Sequence, residues 1–150
     1  MSESEPYPPS EDTFFLADYI KNEKGESALD IGTGSGYLAA LLEESFSFVV
    51  GTDLVFNVLK KQKYFTTNTV CCNGADALNQ QFDLVICNMP YLKTDEILDI
   101  STDGGRDGLE APMKIIGSAK SRIKSGGKFI YVTSSLSNFK KLIACTKLDG

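Results

Sequence analysis

Short apolar runs that alternate with amphipathic segments constrain the fold of this chain more strongly than any other feature. Strand-like runs such as SALDI, FSFVVGTD and FDLVICN are separated by helix-like stretches such as TFFLADYIKN, GYLAALLEE and LVFNVLKKQKY. Such alternation favours a mostly parallel sheet with helices on both faces. We therefore predict the α/β class, with a single domain over residues 1–150, a length at which a core needs no disulfide or metal support.

The remaining segments continue the same pattern. NTVCC is predicted to be a short third strand, APMKIIGSAKSRIK a helix, KFIYVTSS a fifth strand and NFKKLIACTKL a last helix. The glycines at 126–127 are expected to turn the chain into the fifth strand. Ser10 is expected to cap the first helix, with Glu11 and Asp12 in the first turn, where the helix dipole favours acids.

The charge of the chain limits its partners. The formal net charge is −5 and the pI is about 4.7. Proteins that gain affinity by neutralising phosphates are normally basic, so this charge counts against direct nucleic-acid binding. The N-terminus, MSESEPYPPSED, has neither a basic flank nor an apolar segment, so we expect no signal or transit peptide. With no apolar run of transmembrane length, we expect no membrane association and a cytoplasmic protein.

Cysteine and histidine usage limits the chemistry. The four cysteines form no CxxC pair, and histidine is absent. We therefore expect no zinc site within this chain. Cys71, Cys72 and Cys87 close strand-like runs and are expected to be buried free thiols, which are typical of a reducing compartment. The lack of imidazole excludes serine and cysteine triads.

A glycine cluster, ALDIGTGSG, lies between the first strand and the following helix. Glycines at this position let the backbone approach a ligand without a Cβ in the way, and a helix start offers free N–H groups. Tyr37 stands where the dinucleotide fingerprint requires a third glycine. The spacing instead resembles the nucleoside-binding loop of Rossmann-like methyltransferases, in which an acid, here Asp30, precedes the first glycine by two positions. The alternative is a tight strand–helix turn without a ligand.

Two further acids follow the next strands. Asp53 ends the second strand, where an acid can accept hydrogen bonds from both ribose hydroxyls of a bound nucleoside. Asp76, in GADAL, follows the third strand, where the methyltransferases place a polar contact to the adenine amino group. Each acid alone could be a helix cap or a loop residue. Together they lie at the carboxyl ends of successive strands, where open α/β sheets bind ligands.

The fourth strand ends in Asn88, Met89, Pro90 and Tyr91. This tetrapeptide resembles the Asn-Pro-Pro-Tyr motif of methyltransferases that alkylate planar nitrogens in adenine, cytosine or glutamine. The resemblance implies that the Asn88 oxygen and the carbonyl of residue 89 accept the two N–H groups, while Tyr91 stacks on the flat group. Methionine at 89 lacks the fixed φ of proline, so the loop is expected to be less preorganised. The alternative is an ordinary turn after a strand.

The N-terminal stretch YPPSEDTFFL and the loop GGRDGLEAP resemble the HemK-like glutamine methyltransferases, in particular the eukaryotic and archaeal branch that acts on class I translation termination factors. The resemblance implies a class I, Rossmann-like fold with strand order 3-2-1-4-5. It also implies S-adenosylmethionine as cofactor, S-adenosylhomocysteine as product and the glutamine of a Gly-Gly-Gln loop as substrate. The implied cofactor contacts are Tyr7, Thr13, Asp30, Gly32, Gly34, Asp53, Leu54, Asp76, Ala77 and Asn88.

The resemblance also implies a small zinc-containing activator subunit. In the predicted strand order NTVCC lies at a sheet edge, and an added strand near Thr69–Cys72 would cover it. The alternative is a short edge that needs no partner. Methyltransferases of this class continue past the fifth strand with a hairpin, whereas KLDG comes soon after the helix that follows KFIYVTSS. The hairpin is therefore expected to be missing, and the alternatives are a shortened chain and a minimal family member.

Two other functions remain open at the level of sequence. The tetrapeptide is shared with adenine methyltransferases that act on DNA or RNA, although the acidic charge counts against that substrate. A methyltransferase-like module that binds the cofactor without turnover is the second alternative, because Met89 departs from the motif.

Overall fold

The computed structural model describes residues 8–64, 68–88 and 110–133 of the chain. Its strands are β1 (Gly25–Ile31), β2 (Phe46–Asp53), β3 (Thr69–Cys71), β4 (Phe82–Asn88) and β5 (Ile123–Val132). Its helices are α1 (Glu11–Ile20), α2 (Tyr37–Leu42), α3 (Phe56–Lys60) and α4 (Glu110–Lys120). The predicted last helix and the expected lack of a final hairpin concern residues outside the described ranges.

The five strands form one sheet in the order β3-β2-β1-β4-β5, and the four pairings between them are parallel. This confirms the predicted α/β class and strand order. The β3-β2-β1 half and the β4-β5 half meet between β1 and β4. From that point the strand order proceeds outward in opposite directions, toward β3 on one side and toward β5 on the other. Open α/β sheets bind ligands at this switch point.

Apolar side chains cover both faces of the sheet. One cluster joins α1 and α2 to the first face, through residues such as Leu16, Leu42 and Ile86. The other joins α4 to the opposite face, with Phe82 and Ile116 fully buried. Strands buried on both faces read as nearly continuous apolar runs, which explains why β4 was evident in the sequence.

The first helix begins as predicted. Ser10 is the N-cap, with Glu11 and Asp12 in the first turn. The Ser10 backbone N–H donates to the Thr13 hydroxyl at 3.1 Å, so a side chain inside the helix satisfies the residue that precedes it.

The expected turn at residues 126–127 is wrong. Strand β5 runs through both glycines, and Gly126 has φ +82°. Phe82 pairs with Ile123 whereas Leu84 pairs with Lys128, so extra residues bulge out of β5 between these two pairs. The two glycines lie in this bulge, where the positive φ of Gly126 is accommodated without a Cβ. The preceding helix was predicted to reach Lys124 but ends at Lys120.

Asp83 joins the start of β1 to β4. Its Oδ2 accepts the backbone N–H groups of Glu26 and Ser27, each at 2.9 Å, and Lys124 lies 3.4 Å from Oδ1. These bonds lower the pKa of the Asp83 carboxyl, because they favour its charged form.

The helices of the described residues are all too short or too polar to span a bilayer.

Candidate active site

The register of the sheet aligns the ends of its central strands. Ile31 at the end of β1 pairs with Thr52 of β2 and with Cys87 of β4. The next residues along these strands are Gly32, Asp53 and Asn88. The glycine loop, Asp53 and the first residue of the tetrapeptide therefore lie along one rim of the sheet.

The side chains predicted to act together also share a face. Alternation along β4 puts Asn88 on the side of Leu84 and Ile86, and alternation along β2 puts Asp53 on the side of Val49. These three apolar residues belong to the cluster under α1 and α2. Asp30 follows Ala28 of the same cluster by two positions, so all three predicted polar residues project from this face at or near the rim.

The glycine loop adopts a backbone that other residues would strain. Gly32, Gly34 and Gly36 have φ values of +69°, +54° and +84°. Among the described residues, the space beside Gly32 is open, since a Cβ added there would meet none of their atoms within 4 Å. The Thr33 N–H donates to the Thr52 carbonyl at 2.7 Å and thereby fastens the loop to β2.

Asp53 holds two backbone groups. Its Oδ2 accepts the N–H of Gly34 at 3.0 Å, and its Oδ1 accepts the N–H of Val55 at 3.0 Å. A carboxylate has about four acceptor positions, so each oxygen keeps one for a ligand hydroxyl. The side chain is thus oriented before any ligand binds.

Asp30 is almost completely buried, with 1% of its surface exposed. Burial raises its pKa to about 7, the Asp53 carboxylate adds to the rise, and the backbone near Ala39 opposes it. Asp30 Oδ2 and Thr33 Oγ1 have no hydrogen-bond partner among the described residues. A buried acid with a free acceptor is costly unless a cation or donor compensates it.

The loop that carries Asp76 is fastened from both sides. The Thr52 hydroxyl donates to the Gly74 carbonyl at 2.7 Å, and the Ala75 N–H donates to the Ser118 hydroxyl at 2.7 Å. Asp76 and Ala77 themselves are exposed. Leu54, which follows Asp53 at the rim, is 67% exposed and offers an apolar surface.

The first helix touches the start of α2, directly after the glycine loop, through aromatic rings. The ring of Phe14 meets that of Tyr37 edge-on at 5.5 Å between centroids. Thr13 precedes Phe14, but its hydroxyl already accepts the N–H of Ser10. The predicted contact of Thr13 with the cofactor carboxylate stays a prediction.

Four predicted site residues, Tyr7, Met89, Pro90 and Tyr91, lie outside the described residues. Of the tetrapeptide only Asn88 is described, and it is half-buried.

The expectation about the cysteines is partly wrong. Cys87 is buried, and burial together with the Asp30 carboxylate raises the pKa of its thiol, but Cys71 is exposed because β3 is a sheet edge.

The methyltransferase domain family model matches residues 5–144. The chain belongs to this family. The predicted class I methyltransferase fold is therefore confirmed.

Two relatives carry more specific names. A release factor glutamine methyltransferase of Bradyrhizobium diazoefficiens is 35% identical over 122 residues, which are 67% of this chain and 41% of that protein. A putative protein N5-glutamine methyltransferase of Methanocaldococcus jannaschii is 28% identical over 152 residues, 93% of this chain and 77% of that protein. The chain thus spans less than half of the first relative and about three quarters of the second.

A solved structure agrees with these names. The E. cuniculi Mtq2–Trm112 complex, responsible for methylation of the eRF1 translation termination factor, superposes with a TM-score of 0.76 and 26% identity. The match covers 96% of this chain and 84% of that one. Together the three similarities confirm the resemblance to the HemK-like glutamine methyltransferases that the motifs indicated.

The rim of this methyltransferase domain fits S-adenosylmethionine in four respects. The unpartnered Oδ2 of buried Asp30 suits the ammonium of the cofactor. The open space beside Gly32 admits a ligand close to the backbone, and Asp53 keeps acceptors for ribose hydroxyls. Exposed Leu54 offers an apolar surface beside the ribose acid for the adenine.

Three residues of the site were not anticipated from the sequence. The Thr33 side chain packs against Gly51, where an added Cβ would lie 2.9 Å from Thr33 Oγ1. Gln62 is buried and donates its Nε2–H to the Gly34 carbonyl at 2.9 Å. In the helix predicted from LVFNVLKKQKY, Gln62 follows the apolar Val58 by four positions, and this spacing is the one sequence signal that could have indicated it.

Proposed function

We propose that this chain is an S-adenosylmethionine-dependent methyltransferase. We propose that its substrate is the side-chain amide nitrogen of the glutamine in the Gly-Gly-Gln loop of a class I translation termination factor. The observation that carries the proposal is the shared rim: the glycine loop, Asp53 and Asn88 end adjacent strands on one face of the sheet. A donor held by the first two therefore lies next to a planar group held by the third.

The residues for the cofactor divide by its chemical parts. Asp30, with Thr33 beside it, accepts from the ammonium, and Asp53 accepts from the ribose hydroxyls. Leu54 and Ala77 flank the adenine, and Asp76 accepts from its amino group. Tyr7 and Thr13 are assigned to the amino-acid end on the resemblance alone. When bound, S-adenosylmethionine supplies an electrophilic methyl group on a cationic sulfur.

The tetrapeptide positions the nitrogen. Asn88 Oδ1 accepts one N–H of the glutamine amide, and the carbonyl of Met89 accepts the other. These two bonds favour a pyramidal nitrogen whose lone pair is directed at the methyl group, while Tyr91 stacks on the amide plane. No strong base is needed, because the N–H becomes acidic once the nitrogen is alkylated. Orientation of this kind supplies effective molarities of about 10⁵–10⁸ M.

We propose that a zinc-containing activator subunit adds a strand at β3. The similar solved structure is itself a complex of Mtq2 with a second protein, Trm112. The N–H of Gly51 donates to Asn68 and the N–H of Cys72 donates to Asp53, so residues 68 and 72 point toward β2. Parallel pairing then leaves the N–H groups of Thr69 and Cys71 directed outward. Beside this edge lie exposed Phe48 and half-buried Val70, which would be covered by a partner.

Strand addition at β3 is tested with two substitutions of Thr69. Thr69→Pro removes one outward N–H without touching the bonds to β2 and is expected to abolish co-purification of the subunit. Thr69→Val keeps that N–H and is expected to retain the subunit. Equal recovery with both variants would contradict strand addition at this edge.

The reaction is tested with methyl-labelled S-adenosylmethionine, the chain with its co-expressed partner, and a termination factor. We expect label on the glutamine of the Gly-Gly-Gln loop and none on a factor in which that glutamine is alanine. Adenine-containing oligonucleotides form a parallel reaction. Label in the oligonucleotide would favour the adenine methyltransferase, and cofactor binding without turnover would favour the noncatalytic module.

A further inference from the structure

Gln62 lies just beyond α3 in the lysine-rich stretch KKQK. Its side chain is 8% exposed, whereas the flanking Lys61 and Lys63 are exposed. Its Nε2 donates to the Gly34 carbonyl at 2.9 Å across 28 residues of sequence. Its Oε1 is buried without a hydrogen-bond partner among the described residues, so among them this one bond orients the amide.

The same segment touches the glycine loop a second time. The Tyr64 N–H donates to the Ser35 carbonyl at 3.3 Å. The Tyr64 ring meets the Tyr37 ring edge-on at 5.5 Å, on the residue that begins α2. After α3, Gln62 and Tyr64 therefore contact the loop instead of extending the helix.

Gly34 is held on both of its peptide planes. Its N–H belongs to the plane shared with Thr33 and donates to Asp53 Oδ2 at 3.0 Å. Its carbonyl belongs to the plane shared with Ser35 and accepts from Gln62. The torsions φ and ψ of a residue relate these two planes, so the two side chains together fix a glycine that is otherwise free to sample many conformations.

We propose that Gln62 is a positioning residue that holds the glycine loop in its ligand-ready shape. This inference rests on the proposed function, since the loop is assigned there to the cofactor. Asp53 both fixes the loop and faces the ribose, whereas Gln62 acts on the Gly34 carbonyl and is assigned no ligand. Ordering the loop in advance spares the ligand that entropic cost on binding.

The test uses three variants of the full chain, together with the partner subunit if it co-purifies. Gln62→Met keeps the length and bulk of the side chain but removes the donor. Gln62→Ala removes the donor and the bulk. Lys63→Ala is the matched control on the exposed neighbour. Cofactor affinity is measured by calorimetry, and amide hydrogen exchange is followed in the free protein over residues 32–37 and 84–87.

We expect Gln62→Met and Gln62→Ala to raise the Kd for S-adenosylmethionine by about three- to ten-fold, the loss that one neutral hydrogen bond carries. Exchange over residues 32–37 should accelerate by a similar factor of about three to ten, while exchange at 84–87 stays unchanged because the loop opens locally. In turnover, the KM for the cofactor should rise while kcat at saturation is preserved. Lys63→Ala should change none of these quantities.

Unchanged affinity and unchanged loop exchange in Gln62→Met would overturn the inference, as would equal acceleration at 84–87. Failure of the proposed function is recognised separately. If the unmodified chain binds no S-adenosylmethionine, the proposed function is wrong, and the exchange data on the free protein then decide the role of Gln62 alone.

Discussion

Gly34 donates its backbone N–H to Oδ2 of Asp53 at 3.0 Å, across 19 residues of sequence. The bond joins the turn after β1 to the end of β2. The acid assigned to the ribose thus also shapes the loop assigned to the amino-acid end of the cofactor. Removing the Asp53 carboxylate therefore also removes a restraint on the loop.

Replacing Asp53 should therefore impair cofactor binding in two ways. Asp53→Ala removes the acceptors for the ribose and frees the N–H groups of Gly34 and Val55. Hydrogen bonds to charged groups contribute about 1.5–3 kcal/mol each, so we expect the Kd for S-adenosylmethionine to rise by at least about 10-fold. Calorimetry measures the Kd. Asp18→Asn, on the exposed surface of α1, is the control and should bind normally.

Asn88 should separate turnover from binding. Asn88→Ala removes the proposed acceptor for the glutamine N–H, and kcat is expected to fall by at least about 100-fold, as when one positioned polar group is lost from an active site. Affinity for S-adenosylmethionine should stay within a few fold. Filter binding of labelled termination factor gives kcat, and calorimetry gives the Kd.

The control for Asn88 is the same substitution at Asn57, an exposed residue of α3. Asn57→Ala should leave both quantities unchanged. Joint loss of binding and activity in Asn88→Ala would mean that Asn88 belongs to the cofactor site and not to the reacting nitrogen.

The sequence was sufficient for features that depend on local pattern. Apolar runs revealed the five strands, and the acids at their ends could be assigned to one rim because parallel strands end on the same side. The structure places both Asp30 and Asp53 at or near this rim, as this reasoning predicts.

Features that depend on register or long-range contact were not accessible from the sequence. The glycines at 126–127 indicate a turn or a bulge equally well, and only the pairing of β5 with β4 decides between them. Helix α3 was predicted to reach Tyr64 but ends at Lys60, because Gln62 and Tyr64 bind the glycine loop instead. Exposure of Cys71 follows from the edge position of β3, not from its composition.

Gly51 should resist even the smallest substitution. A Cβ there would lie 2.9–3.0 Å from three atoms of Thr33, which lies between Gly32 and Gly34 of the glycine loop. Gly51→Ala is expected to destabilise the fold by about 1–3 kcal/mol and to weaken cofactor binding, because the loop must shift. Urea unfolding measures the first effect. Gly117→Ala, in α4, adds a Cβ that meets no atom of the described residues within 4 Å and should stabilise the fold by about 0.5–1 kcal/mol.

Asp30 should make stability fall as pH rises. Its pKa is about 7 in the folded chain and 3.8 ordinarily, so the folded state binds its proton more tightly than the unfolded state does. Stability from this group is therefore complete below about pH 4, is lost between about pH 4 and 7, and is constant above that range. Asp30→Asn stays neutral and should lack this loss. Thermal unfolding of both proteins at several pH values gives the difference in stability between them. Contributions from groups that both proteins share, such as Asp83, cancel in this difference.

The same carboxyl predicts proton release when the cofactor binds. An ammonium beside Asp30 favours the charged form and lowers its pKa, so the proton held at about pH 6.5 is expelled. At that pH an α-amino group, with a pKa of about 7.7–8.0, is already charged and takes up little. Calorimetry in two buffers of different ionisation enthalpy measures the protons released. We expect about 0.5–0.8 of a proton to be released by the unmodified chain and close to none by Asp30→Asn. Equal heats in both buffers would place the ammonium away from Asp30.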